Sequence, residues 1–169
     1  MAVTDTTIRF ATSADATTIF NFIQALAIYE REPDAVEATP ASISEQLDSE
    51  RPPFECLLAE VEDEPRGFAL FFHNYSTWRG KQGIYLEDLF VPEHFRGEGI
   101  GKLLLASLAR IAAERDCPRL EWQVLDWNQT AIDFYESLGT TVMKDWLPCR
   151  LTDQDLSKLA NQGATVKSQ

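Results

Sequence analysis

The sequence predicts an α/β (α+β) fold, a mixed central β-sheet with helices on both faces. Three observations predict it. Strand-like and helix-like patterns follow one another in the order β-α-α-β-β-β-α-β-α-β; two of the strand runs are separated by hairpin chemistry; and a strand, a glycine loop and a helix adjoin between Ile84 and Arg115.

Taken in order, Thr7 to Ala11 reads as a short first strand. Ser13 or Asp15 then caps an apolar-periodic helix through Ile19, Phe22, Ile23, Leu26 and Ala27, ending near Tyr29-Glu30. A charged, proline-bearing connection, Arg31 to Ala38, leads to Thr39-Pro40, a cap followed by proline at the first helical position. The second helix runs through Ile43 and Leu47 and stops before Pro52-Pro53. Cys56 to Val61 and Gly67 to Tyr75 are β-rich runs joined by Glu62-Asp63-Glu64-Pro65, and Ile84 to Val91 is the next strand. Leu103 to Arg115 has helix patterning, and Arg119 to Leu125 is another strand. Gln129 to Leu138 is a helix with Asn128 as cap and Gly139 as its stop, Val142 to Leu151 is a last strand region, and Asp153 to Leu159 adds a short helical turn.

A chain of 169 residues suits one domain, assigned to residues 1–160, with the polar Asn161 to Gln169 as a tail. With 44% hydrophobic and 25% charged residues it has the composition of a soluble globular protein. It has no apolar run of bilayer-spanning length, and Met1 to Thr7 lacks a basic leader, so the expectation is a cytoplasmic protein with no membrane partner. A net charge of −12 would repel a phosphate backbone, which argues against nucleic acid. Cys56, Cys117 and Cys149 form no C-x-x-C pair and read as small buried hydrophobes. His73 reads as structural and His94 as a surface loop residue, and no metal site is expected.

Arg96-Gly97-Glu98-Gly99-Ile100-Gly101-Lys102 lies between an apolar strand and a helix and looks like an anion cradle. Alternating glycines let successive N–H groups turn toward one point, at which the helix aims its positive dipole end. A Walker A loop needs glycine where Arg96 stands, and a dinucleotide fingerprint begun at Gly97 needs glycine where Lys102 stands, so a different diphosphate binder is indicated. A glycine-rich turn made for packing alone is the other reading, and Arg96 and Lys102 at its ends favour phosphate.

Arg96, Gly99 and Gly101 match the Arg/Gln-x-x-Gly-x-Gly/Ala segment, and the chain resembles the GNAT superfamily of N-acetyltransferases over most of its length. Tyr85-Leu86-Glu87-Asp88-Leu89-Phe90-Val91 before the loop, and Leu125-Asp126-Trp127-Asn128-Gln129 leading to Phe134-Tyr135 after it, resemble the diamine acetyltransferase branch. That branch contains spermidine/spermine acetyltransferases and their thialysine-acetylating relatives. The resemblance implies the GNAT architecture, acetyl-CoA as donor with CoA as product, a small-molecule amine as acceptor, and a homodimer.

Site residues follow in the same way. Glu87 and Asp88 interrupt an apolar strand, so at least one carboxylate faces a covered layer, either in a structural ion pair or for chemistry. An alkyl amine with a pKa of about 10.4 costs roughly 4 to 5 kcal/mol to deprotonate at neutral pH, and a nearby acid can take that proton. By resemblance Glu87 is that base or a substrate-binding acid, with Asp88 as support, and Tyr135 protonates the leaving thiolate; on local grounds alone Tyr135 reads as a core tyrosine with a satisfied hydroxyl.

By resemblance, too, the strands Ile84–Val91 and Arg119–Leu125 splay. Leu89, Phe90 and Val91 then line the pantetheine arm through their main chain, and Arg96 with Gly97, Glu98, Gly99, Ile100, Gly101 and Lys102 takes the diphosphate. Asn128, Gln129, Thr130 and Ala131 close around the arm, although Asn128 serves equally as a helix cap. Tyr29 and Glu30 match positions that hold the amine, with a solvated acid at a helix end as the alternative for Glu30, and Glu121, Trp122 and Gln123 match substrate-side positions. Polyamine-specific members carry an aspartate shortly before the tryptophan matched by Trp78. Here the run is Tyr75-Ser76-Thr77-Trp78, closer to the thialysine type with its lysine-like acceptors. Rival functions are a non-catalytic acyl-CoA sensor and a peptide N-acetyltransferase.

Overall fold

The computed structural model describes residues 5–166. They divide into two compact units, the first ending at Gln123 and the second beginning at Val124. The first unit holds β1 (Thr6–Phe10), α1 (Ala16–Tyr29), α2 (Pro40–Leu47), β2 (Glu55–Val61), β3 (Glu64–Ser76), β4 (Lys81–Phe90), α3 (Ile100–Glu114) and β5 (Leu120–Glu121). The strands form one sheet in the order β1-β2-β3-β4-β5. The first four are antiparallel neighbours, and β5 joins β4 in parallel. The sheet is mixed, as predicted.

Side-chain alternation divides the core between the two faces of the sheet. Ile19, Phe22 and Leu26 of α1 and Ile43 of α2 pack with Cys56, Leu58, Phe68, Leu70 and Phe90. Leu57 and Ala59 alternate with that set and are also buried, so the opposite face is covered too. Gly67 shows by what. A Cβ there would meet the Phe90 carbonyl at 3.0 Å and Ile100 Cγ2 at 3.3 Å, so this face lies against the start of α3, and only glycine permits so close an approach.

The hairpin between β2 and β3 is tighter than the sequence suggested. Glu62 and Asp63, at φ of 52° and 63°, make the two-residue loop, and Glu64 and Pro65 already pair with Val61 and Glu60. Two bulges follow from the register. Ala59 pairs with Gly67 but Glu60 with Pro65, leaving Arg66 as the extra residue; Leu70 pairs with Asp88 but Phe71 with Leu86, leaving Glu87 as another. A bulge bends its strand and re-aims the side chain that it carries.

At the start of α1, Asp15 stands in the capping position, but its carboxylate turns back. It accepts from the Thr12 N–H at 2.8 Å and from Arg9 at 2.8 Å through both oxygens, and Arg9 is also bonded to Glu60. Thr39 caps α2 in the predicted way, accepting from the Ser42 N–H at 3.1 Å.

The second unit holds α4 (Gln129–Ser137) and α5 (Asp153–Ala160). Asn128 Oδ1 accepts from the Ala131 N–H at 3.2 Å, and Gly139 at φ 86° follows the helix end, both as predicted. The last strand, Val142 to Leu151, is not formed among the described residues. The chain turns there instead, with Lys144 N–H to the Val142 carbonyl and Trp146 N–H to the Met143 carbonyl, and Pro148 lacks the donor that a ladder needs. The expected turn at Asp153 to Leu159 is a full helix of 8 residues. Part of the expected tail, residues 167–169, lies outside the described residues, as do residues 1–4 of the expected N-terminal stretch. Cys56 and Cys117 are buried, as expected, whereas Cys149 is exposed, in a segment that forms no strand.

Candidate active site

The glycine loop follows β4 directly. Pro92 ends the strand, a short 3-10 turn runs Glu93–Phe95, and Arg96 then closes the connection by donating from Nε to the Val91 carbonyl at 2.9 Å. Gly97 and Gly99 have φ of 81° and 85°, a backbone region that side chains disfavour. The predicted helix start at Leu103 is too late. Gly99 is the N-cap and Ile100, Gly101 and Lys102 form the first turn, which needs no apolar stripe and so left no periodic signal. Ile100 is 2% exposed, so its side chain belongs to the core and it offers the loop only its N–H.

No side chain caps α3. The helix opens with its first N–H groups directed at the glycine turn, where dipole and donors favour an anion. The chemistry of this turn, positive-φ glycines at an uncapped helix N-terminus, suits a diphosphate. The second fitting feature is on β4. Its parallel pairing with β5 comprises Ile84 with Leu120 and Tyr85 with Glu121, so the expected strand Arg119–Leu125 shrinks to two residues, and from Leu86 to Phe90 the ladder runs on the β3 side alone among the described residues. The pairing of the two strands thus ends at Tyr85 and Glu121.

The acid-bearing stretch of β4 lies under the end of α1. Phe90 is within 6.5 Å of the Tyr29 ring, and the Arg96 guanidinium lies 4.5 Å over Tyr29 and 5.8 Å from Phe90. Asp88 is half-buried, and its carboxyl is pushed up to about 6 from 3.8, first by burial, then by the negative charges of Glu87 and Glu30. Burial also raises the Glu30 carboxyl. Glu87, in the bulge, is exposed. Sequence reasoning favoured Glu87 and gave Asp88 a supporting part; the structure exposes Glu87 and half-buries Asp88. The cause is the bulge, which needs the pairing register to be seen.

Other expected residues are placed differently. Glu121 is held by Asn74 Nδ2 at 2.8 Å and has Arg119 Nε 2.8 Å away, so its charge is matched within the sheet. Trp122 is half-buried and Gln123 exposed. In the second unit, Tyr135 is half-buried on α4 with its ring 5.4 Å from Phe134, Gln129 Nε2 donates to Asp133 at 2.6 Å, and Thr130 is exposed. Among the described residues no group of three or more His, Cys, Asp and Glu could hold a metal ion, and no helix is long and apolar enough to cross a membrane.

Comparison with known proteins accounts for this arrangement. The model of the acetyltransferase (GNAT) family matches residues 20–140, a span that includes β4, the glycine loop, α3 and α4. The chain belongs to the GNAT acetyltransferase family. The thialysine N-epsilon-acetyltransferase of Bos taurus is 34% identical over 166 residues, covering 92% of this chain and 97% of that protein. The L-ornithine N5-acetyltransferase NATA1 of Arabidopsis thaliana is 48% identical over 93 residues, which is 55% of this chain but 41% of that longer protein. Among solved structures, an integron cassette protein from the mobile metagenome of V. cholerae superposes with a TM-score of 0.78 at 28% identity, covering 92% of this chain and 98% of its own. This acetyltransferase thus resembles in sequence proteins named for acetylating thialysine and ornithine, and shares its fold with the cassette protein.

Proposed function

We propose that the protein transfers the acetyl group of acetyl-CoA to a primary amine of a small diamine, polyamine or lysine-like amino acid, with the lysine-like type preferred. The observation that carries the acceptor half is the raised carboxyl of Asp88 beside Glu87 and Glu30. Three acids near one another would attract a cationic amine, and thialysine and ornithine, named for the two relatives above, each carry a side-chain amine that is protonated at neutral pH. The run before Trp78 has no acid, which favours the same choice over spermidine or spermine.

Bound acetyl-CoA would supply the activated acetyl group. The residues that would hold it are Gly97 to Lys102 at the diphosphate, with Arg96 closing the turn, and the main chain of Leu89 to Val91 along the pantetheine arm. Asn128 to Ala131 are assigned to the same arm. Glu87 and Glu30 draw in the charged amine beside Tyr29, and Asp88, whose carboxyl lies near neutral pH, accepts the proton as the nitrogen attacks. Tyr135 delivers a proton to the departing sulfur. No acyl group is placed on the protein: Cys56 is buried with its thiol pushed up by burial, and Cys117 and Cys149 lie outside the segments assigned to the site. We further propose that the enzyme works in the cytoplasm as a homodimer.

The test is release of free thiol from acetyl-CoA with a panel of thialysine, lysine, ornithine, spermidine and a lysine peptide. Turnover with the free lysine-like amines ahead of spermidine and peptide is expected; thiol release with the peptide alone would overturn the reading.

A further inference from the structure

Arg66 had no part in the sequence reading. It is the extra residue of the β2–β3 bulge, one position before the glycine that touches the start of α3. The bulge turns its side chain toward the cofactor loop. The residue is 8% exposed, and its guanidinium lies 4.7 Å over the ring of Phe95, in the 3-10 turn before the loop. Its Nη1 is 3.7 Å from the Glu98 carboxylate and its Nη2 3.5 Å from Glu64, while the buried Nε has no hydrogen-bond partner.

A buried guanidinium with long ion pairs and an orphan donor is poor value for stability alone, since an apolar side chain there would avoid the desolvation cost. Glu98 supplies a reason for it. Glu98 stands between Gly97 and Gly99, in the turn where the N-terminus of α3 gathers its positive potential. An uncompensated carboxylate at that point would weaken the field that draws a diphosphate.

We propose that Arg66 is a positioning residue for the cofactor loop: it neutralises Glu98 from beneath and holds Phe95, leaving the donors of the glycine turn for a diphosphate. This rests on the acetyl-CoA reading above. Arg66 acts through Glu98 and Phe95 and takes no part in proton transfer.

The experiment is calorimetric titration of coenzyme A into the wild-type protein, Arg66→Met, Glu98→Gln and the double variant. It is paired with kcat and KM for acetyl-CoA, and with melting curves to establish that each variant is folded. Arg66→Met should weaken coenzyme A binding about tenfold, with kcat at saturating acetyl-CoA within about twofold of wild type. Glu98→Gln alone should tighten binding about threefold, and adding it to Arg66→Met should recover most of the loss, since the charge needing compensation is then gone. Arg66→Lys, which keeps the charge and loses the flat face over Phe95, should fall between Arg66→Met and wild type. Binding unchanged in Arg66→Met, or a double variant as weak as Arg66→Met, would overturn the proposal. If Arg66→Met does not fold, Glu98→Gln decides: unchanged binding there rejects the electrostatic role. Wild-type protein that takes up no coenzyme A would instead reject the acetyl-CoA reading, and this inference with it.

Discussion

The guanidinium of Arg96 lies 4.5 Å above the ring of Tyr29, while its Nε is bonded to the Val91 carbonyl 2.9 Å away. One side chain thereby joins the end of α1, where the amine is proposed to bind, to the turn proposed to hold the diphosphate. Arg96→Lys keeps the charge but loses the planar stack. Initial-rate measurements should show KM rising for both acetyl-CoA and the amine, each by about threefold to tenfold. A rise confined to acetyl-CoA would mean that the Tyr29 contact is only packing.

Asp88 gives a pH signature of known sign. Its folded pKa of about 6 lies above the unfolded value of 3.8, so the folded protein holds the proton more tightly and stability falls as pH rises through that window. Asp88→Asn should therefore stabilise the protein at pH 7 by on the order of 1 kcal/mol and have little effect near pH 4, measured by denaturant melts. The same substitution should remove the rise in kcat/KM centred near pH 6 and lower turnover about a hundredfold. Unchanged turnover would transfer the proton acceptor's role to Glu87.

Tyr135→Phe removes a hydroxyl and little else. If that hydroxyl protonates the leaving sulfur, kcat should drop by about 10² or more while coenzyme A affinity, read by calorimetry, stays within about twofold. Loss of affinity with unchanged kcat would make Tyr135 a wall of the binding site.

The cluster of Arg9, Asp15 and Glu60 ties β1, the start of α1 and β2 together. The Arg9 guanidinium lowers the Asp15 carboxyl from 3.8 to about 2, so its contribution is present above pH 4 and is lost as pH falls toward 2. Arg9→Met should destabilise the protein by about 1–2 kcal/mol at pH 7 and much less near pH 2, seen as a smaller pH dependence of the melting temperature.

What the sequence determined by itself was whatever local chemistry dictates. The 3.6-residue stripe of Ile19, Phe22 and Leu26, the cap at Thr39 with Pro40, the glycines at Gly97 and Gly99 and the cap at Asn128 each impose their structure on a few neighbours, and so β1 through α4 could be placed in order. The family could be named because its motif lies within one such stretch. Tertiary structure decided what depends on partners distant in the chain. The expected strand at Arg119–Leu125 has the right residues, but only Leu120 and Glu121 find β4, and Val142 to Leu151 forms no ladder. Pairing register alone created the bulges that expose Glu87, half-bury Asp88 and turn Arg66 beneath Glu98, because an extra residue in one strand is defined only by the strand beside it.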